Sequence, residues 1–205
     1  MRVPPLQAFS SYLQSQAAAR EKAYQQQPSI TISREAGSGA VTIGQMLVER
    51  FMVEDARLPV ETIVEELLGL HPTPWLLVQQ TTRTILRLAS LGCVILVGRG
   101  ADVVTKRLPY VFHVRLVAPL EKRVQHAAQY YNLTAADAAE KVREEDHARR
   151  RYLRRYFDAD IDDPLLYDLV INTGRLGFVR TAELIAQAAM RNYEEFLKTR
   201  PPRTM

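Results

Sequence analysis

One cysteine, Cys93, is all this chain has, so no internal disulfide can form and a thiolate zinc site is excluded. Cys93 lies in an apolar run and reads as a small buried hydrophobe. No stretch reaches the roughly 18 consecutive apolar residues of a membrane span, so no membrane partner is expected. Met1-Arg2-Val3-Pro4-Pro5 lacks an apolar signal core, so export is not expected and a cytoplasmic location is. His71, His113, His126 and His147 fall at no metal-ligand spacing. No Gly-x-Ser-x-Gly elbow occurs. Asp158, Asp160, Asp162 and Asp163 lack the glycine and terminal glutamate of a calcium loop and read as a solvated or capping loop.

What remains is ordinary for a globular domain: 205 residues, 47% hydrophobic and 24% charged. The net charge of +4 favours anionic ligands, and the excess gathers between Lys141 and Arg155. The organising stretch lies elsewhere, at Ser29-Ile30-Thr31-Ile32-Ser33-Arg34-Glu35-Ala36-Gly37-Ser38-Gly39-Ala40-Val41-Thr42-Ile43-Gly44. A β-branched strand feeds a small-residue turn and then a helix from Val41 to about Met52. Glycines let amides converge there, and the helix N-terminus adds partial positive charge. This is the layout of a phosphate-binding P-loop, G-x-x-x-x-G-K-[ST]. Its cation is missing. Arg34 stands at the first Gly, Ala40 at the Lys and Val41 at the Ser/Thr, with Thr42 one residue late for a magnesium ligand.

The rest alternates between strands and helices. Leu6 to about Gln25 carries an apolar stripe (Leu6, Phe9, Tyr12, Leu13), a helix suited to packing on the domain or to forming a homodimer. A short strand near Leu58–Val60 and a helix over Glu61–Leu70 are expected, then a buried helix Trp75–Leu91 with Trp75 as a packing anchor. Gly92 caps it. Cys93–Val97 reads as a central parallel strand, opening into Gly98-Arg99-Gly100. Val111–Val117 is a strand and Pro119 starts the helix Leu120–Tyr131. Thr134 with Asp137 resembles a capping box before a basic helix to about Tyr156. Strand Tyr167–Asn172 and helix Phe178–Leu197 complete a parallel sheet covered on both faces. The expected organisation is an N-terminal extension (1–27), one domain (28–198) and a tail (199–205).

Three basic clusters are candidates. Arg34 either points to solvent, or pairs with Glu35, or restores charge lost at Ala40. Arg99 either pairs with Asp102 or meets a ligand phosphate or base. Arg143, Asp146, Arg149, Arg150, Arg151, Arg154 and Arg155 form either a solvated face or an arginine lid over phosphates, Asp146 and Arg149 sharing one helix face. Tyr152, Tyr156 and Phe157 allow nucleic-acid stacking as the weaker reading.

In this order, the motifs resemble those of the cytidylate kinase-like family of P-loop nucleoside monophosphate kinases. They are Ile30–Gly39, Cys93–Asp102, Glu121–Val124, Asp146–Tyr152 and Tyr167–Thr173, within roughly 29–190. The resemblance implies a three-layer α/β/α P-loop NTPase fold with a mainly parallel sheet of four to five strands. It implies ATP with magnesium as cofactors and transfer of the γ-phosphate to CMP or dCMP, the small-molecule acceptor. Gly37, Ser38, Gly39, Ala40, Val41 and Thr42 would bind the nucleotide. Arg34, Arg99, Arg149 and Arg150 would share the charge of the absent lysine, and Arg99, Asp102, Asp146 and Arg149 would contact the acceptor. Such kinases carry Asp where Gly100 stands, and the region between Phe51 and Leu91 is short for their acceptor-binding insert. The alternative is a catalytically silent nucleotide- or phosphate-binding regulatory or assembly module.

Overall fold

The computed structural model describes residues 28–51 and 74–199. The expected helix over 6–25, the strand near 58–60 and the helix over 61–70 lie outside them. Four parallel strands form one sheet: β1 (Ser29–Arg34), β2 (Ile95–Val97), β3 (Val111–Val117) and β4 (Leu169–Asn172), in the order β2-β1-β3-β4. Ile30 pairs with Ile95 and Phe112, and Val114 pairs with Leu169. From β1 the chain moves first to one side and then to the other. The order therefore reverses at β1, whose carboxyl end is where open α/β sheets bind ligands.

Two helices cover one face. In α1 (Ala40–Phe51) the buried residues Ala40, Ile43, Gly44 and Leu47 recur at helical spacing. In the final helix Thr181, Ala182, Ile185, Ala186, Ala189 and Tyr193 do the same. The apolar members of these two stripes, Ala40, Ile43, Leu47, Ala182, Ile185, Ala186 and Ala189, make the main core with Ile30, Ile32, Phe112, Val114, Leu116 and Ile171. On the opposite face lie α2 (Pro74–Leu91) and the short α3 (Ala101–Thr105), joined through Ile85, Leu88, Ala89, Leu96, Ala101 and Val111. Helices α4 (Leu120–Tyr131) and α5 (Ala135–Phe157) pack on each other, and Ala36 enters their contact with Ala127, Ala138 and Val142. After a 3₁₀ turn (Pro164–Leu166) and β4 come α6 (Thr173–Leu176) and α7 (Phe178–Thr199). The result is three layers.

Local chemistry sets the joints. Thr134 caps α5 by accepting from the Asp137 N–H at 3.2 Å. Its hydroxyl donates to the Asp137 carboxylate at 2.7 Å, where a full capping box would return a bond to the Thr134 amide. Asn132 and Asp158 end α4 and α5 in the left-handed conformation.

Three expectations change. Trp75 is 59% exposed rather than buried as an anchor, and among the described residues α2 buries the stripe that holds Val78, Ile85, Leu88 and Ala89. The strand expected over Cys93–Val97 shortens to Ile95–Val97, because Cys93 itself takes a positive φ of 52° after Gly92. That strand is at the edge of the sheet among the described residues, not at its centre.

Candidate functional site: a braced anion loop at the end of strand β1

The turn between β1 and α1 is fixed residue by residue from different helices. The Glu35 carboxylate accepts from the Ala118 N–H at 2.9 Å and meets Arg123 Nε at 3.3 Å. The Ala36 N–H donates to Asp146 Oδ1 at 2.6 Å, and the Ala36 carbonyl accepts from Arg123 Nη1 at 3.2 Å. His126 Nδ1 lies 3.1 Å from the Gly37 carbonyl. Ser38 is buried; its hydroxyl donates to the Glu35 carbonyl at 2.8 Å, and its carbonyl accepts from the Thr173 hydroxyl at 2.9 Å. The Phe178 ring closes against Gly39, where a Cβ would collide with it. Gly37, with φ 77°, passes so near the Arg123 carbonyl that a side chain there would clash as well.

At the centre of these braces is Arg123, a residue that sequence reasoning did not single out. Its side chain is 9% exposed and joins Asp146 at 2.6 Å, the Ala118 carbonyl at 2.9 Å, Glu35 and the Ala36 carbonyl. A guanidinium hydrogen-bonded through Nε and Nη1 between two carboxylates is how a buried charge is tolerated. Glu121-Lys122-Arg123-Val124 was legible as part of the resemblance, but nothing in its spacing says that Arg123 turns inward.

With the carbonyls occupied, amides are left over. The N–H groups of Gly37, Gly39, Ala40, Val41 and Thr42 donate to no partner among the described residues, and the Ser38 N–H makes only a long contact of 3.3 Å with Glu35. Converging amides at a helix N-terminus form an anion cradle. Ala40, in place of lysine, is 6% exposed and belongs to the main core, so its methyl group adds no charge.

The arginines proposed to replace that charge occupy separate positions. The Arg34 guanidinium lies directly over Gly98, so β1 and β2 end together beneath it. Arg99 is exposed in a run of positive φ values (Gly98 79°, Arg99 57°, Gly100 71°), beside Tyr152. It makes no ion pair with Asp102 among the described residues. Phe157 packs against Gly100, 2.8 Å from where a Cβ would stand. Arg149 pairs with Glu145 at 2.7 Å and reaches Asp146 at 3.6 Å, while its buried Nη1 takes no hydrogen bond. Arg150 is exposed and donates through Nε to Asp162 at 2.8 Å. Asp146, expected to touch the acceptor, spends both oxygens on Ala36 and Arg123.

A second buried polar group lies under α3. Arg115, on β3, donates to the Ser33 hydroxyl at 3.1 Å and to Asp162 at 2.7 Å. The Tyr167 hydroxyl contacts Ser33 at 3.1 Å and donates to the Ile161 carbonyl at 2.8 Å. Asp102 is 3% exposed, and its Oδ2 has no hydrogen-bond partner. Burial raises the pKa of Asp102, against the opposing pull of its own turn amides and of Arg115. The Tyr167 phenol is pushed up to about 12 by burial first and then by the negative charge of Asp102. For Asp162, burial raises the carboxyl, yet hydrogen bonds and charge from Arg150 and Arg115 outweigh it and leave the pKa lowered.

Among the described residues no three His, Cys, Asp or Glu converge as a metal site, and Val41 offers no donor where a hydroxyl would ligate magnesium. The loop fits an anion, and at Val41 it offers magnesium no side-chain donor. No helix among the described residues is long and apolar enough to cross a membrane.

Comparison with known proteins agrees with this geometry. A shikimate kinase from Acinetobacter baumannii superposes with a TM-score of 0.53 at 21% identity, covering 84% of this chain and 98% of that one, which identifies the three layers as a P-loop kinase fold. A cytidylate kinase from Pyrococcus horikoshii is 28% identical over 160 residues, 71% of this chain and 80% of that enzyme. A uronate isomerase from Corynebacterium glutamicum is 33% identical over 115 residues, 56% of this chain, and the match spans only 22% of that longer protein. The model of the cytidylate kinase-like family matches residues 71–175, which hold Arg99, Asp102, Arg115, Arg123, Asp146, Arg149, Arg150 and Asp162 but not the loop. Since that match takes in just over half of the 205 residues, the chain belongs to the cytidylate kinase-like family.

Proposed function

We propose that the chain binds a nucleoside triphosphate, ATP by family, and transfers its γ-phosphate to a nucleoside monophosphate of the CMP or dCMP class. One observation carries the reading: the unused amides of Gly37, Gly39, Ala40, Val41 and Thr42 at the start of α1. They supply fixed dipoles for phosphate oxygens. An oxygen of the acceptor phosphate attacks the γ-phosphorus, the bond to the β–γ bridging oxygen breaks, and ADP leaves with that electron pair. Arg34, Arg99, Arg149 and Arg150 share the charge that lysine would bring, and Arg99 and Arg149 orient the acceptor; Asp146, taken up by Ala36 and Arg123, and buried Asp102 act from behind them rather than on the acceptor. With no protein ligand for magnesium at Val41, no step is assigned to the ion.

An ADP-release assay across the nucleoside monophosphates tests this. Turnover is expected with a cytidine or deoxycytidine acceptor and is lost in Arg99→Ala. Ala40→Lys, which returns the missing cation, raises the rate by on the order of 100-fold. No release with any acceptor ends the enzyme reading.

A silent nucleotide- or phosphate-binding regulatory or assembly module is the second reading. It is favoured by Ala40 in the apolar core and by the carboxylates already paired with Arg149 and Arg150. Triphosphate binding without ADP release, or a nucleotide-dependent change of oligomeric state by light scattering, supports it. A homodimer through residues 6–25 is the form such assembly takes.

A further inference from the structure

The aspartate-rich loop read from the sequence as solvent-facing or capping divides its work in the fold. Asp163 caps the 3₁₀ turn through the Leu165 N–H at 2.9 Å, and Asp158 ends α5 in the left-handed conformation. Asp162 does something else. Its Oδ1 takes a hydrogen bond from Arg115 Nη2 at 2.7 Å, and its Oδ2 takes one from Arg150 Nε at 2.8 Å. The Asp160 carboxylate holds the Asp162 amide at 3.1 Å, so the carboxylate between the two arginines has a fixed backbone.

The two arginines differ. The Arg115 side chain is 5% exposed and locked by Ser33 and by the Tyr167 ring, 5.7 Å away. The Arg150 side chain is 48% exposed on α5 and is held through Nε alone. Its Nη1 and Nη2 have no partner among the described residues, and the charges of Asp146 and Glu35, both bound to the loop braces, act on it. As a stabilising contact the half-exposed pair contributes little. As an orienting contact it is more consequential: gripping an arginine by Nε restricts its swing and leaves its planar outer fork free, the group that binds two phosphate oxygens together.

We propose that Asp162 is a positioning residue, which transmits the rigid placement of buried Arg115 to Arg150 and presents the Arg150 fork to the phosphates bound on the loop. This rests on the triphosphate-binding reading above for its ligand.

The test is a mutant cycle on the full chain with ATP as titrant, read by calorimetry, and with stability measured separately in denaturant. Arg150→Ala and Asp162→Ala each weaken binding by on the order of 10-fold, and the double variant is no weaker than Arg150→Ala alone. Asp162→Asn, which keeps the shape and one acceptor oxygen, falls between wild type and Asp162→Ala and guards against misfolding of the alanine variant. A purely structural role would lower stability in Asp162→Asn without changing affinity, and that result overturns the relay. So does additive loss in the double variant, or tighter binding in Asp162→Ala. If wild type binds no ATP, the triphosphate reading fails, and the relay is then judged by the Arg150 Nε–H resonance in NMR. A protected resonance in wild type that disappears in Asp162→Ala supports it, and an averaged one in wild type overturns it.

Discussion

The two faces of the sheet are built to different rules. Toward α1 and α7, strands β1 and β3 present Ile30, Ile32, Phe112, Val114 and Leu116, all buried in one apolar cluster. Toward α3 they present Thr31, Ser33, His113 and Arg115, equally buried but polar, with Thr31 and His113 bonded at 2.8 Å. Residues adjacent in sequence therefore serve opposite ends. Leu116 holds the fold together through burial that is indifferent to direction, and Arg115 fixes direction at some cost in desolvation. The difference teaches that β1 and β3 turn an unbroken apolar face toward α1 and α7, and on the other face set polar fixings beside a second apolar cluster.

The sharpest way to break the comparison is to strike each face at neighbouring positions. Arg115→Ala leaves the buried Ser33 hydroxyl without its guanidinium donor and frees one oxygen of Asp162, so it is expected to cost about 1–3 kcal/mol in denaturant and to weaken ATP binding as well. Leu116→Ala costs ~2–5 kcal/mol yet leaves affinity intact below its melting temperature. Equal loss of affinity in both would erase the division. Arg123→Ala extends the test to the loop: it leaves Asp146 without its partner, again at about 3–5 kcal/mol, and abolishes triphosphate binding because the amide cradle loses its braces.

A smaller effect appears at high pH. The Tyr167 pKa is raised in the fold, so its contribution is complete below the unfolded value of 10.0 and is lost as pH climbs toward about 12. The alkaline limb of the stability profile should fall by about 1–2 kcal/mol over that window, less than the whole shift because solvent reaches the partly buried phenol, and Tyr167→Phe should flatten it. Smallest is Arg99→Gly. Relieving a non-glycine residue at φ 57° stabilises by about 1 kcal/mol, while losing the guanidinium weakens acceptor binding. A variant that gained stability and kept affinity would remove Arg99 from the site.

Elements whose cues lie close in sequence were legible. Val111–Val117 and the helix after Pro119 fall where apolar runs and breakers put them, and the Thr134 cap forms. The strand–turn–helix at 29–44 was readable because glycine spacing reports backbone shape directly. What stayed hidden depends on partners remote in the chain. Asp146 reaches Ala36 across 110 positions, and Arg123 reaches it across 87. No periodicity encodes such pairings. Thr31, Ser33, His113 and Arg115 did carry a cue, a strict alternation with Ile and Val, but alternation usually signals an exposed polar face. Here α3 and the 158–164 loop cover it. Trp75 misled for the converse reason, since a large aromatic beside prolines says nothing of whether anything packs on it.

The loop's stitching has one last corollary. Glu35, Ala36, Gly37, Ser38 and Gly39 are secured by residues from α4, α5, α6 and α7, the final third of the chain together with its middle. A nascent or clipped chain that has made β1 and α1 but not docked Phe178 would own the right glycines and still hold no anion. Under the proposed function, ligand capture is then expected only once the last helix has docked.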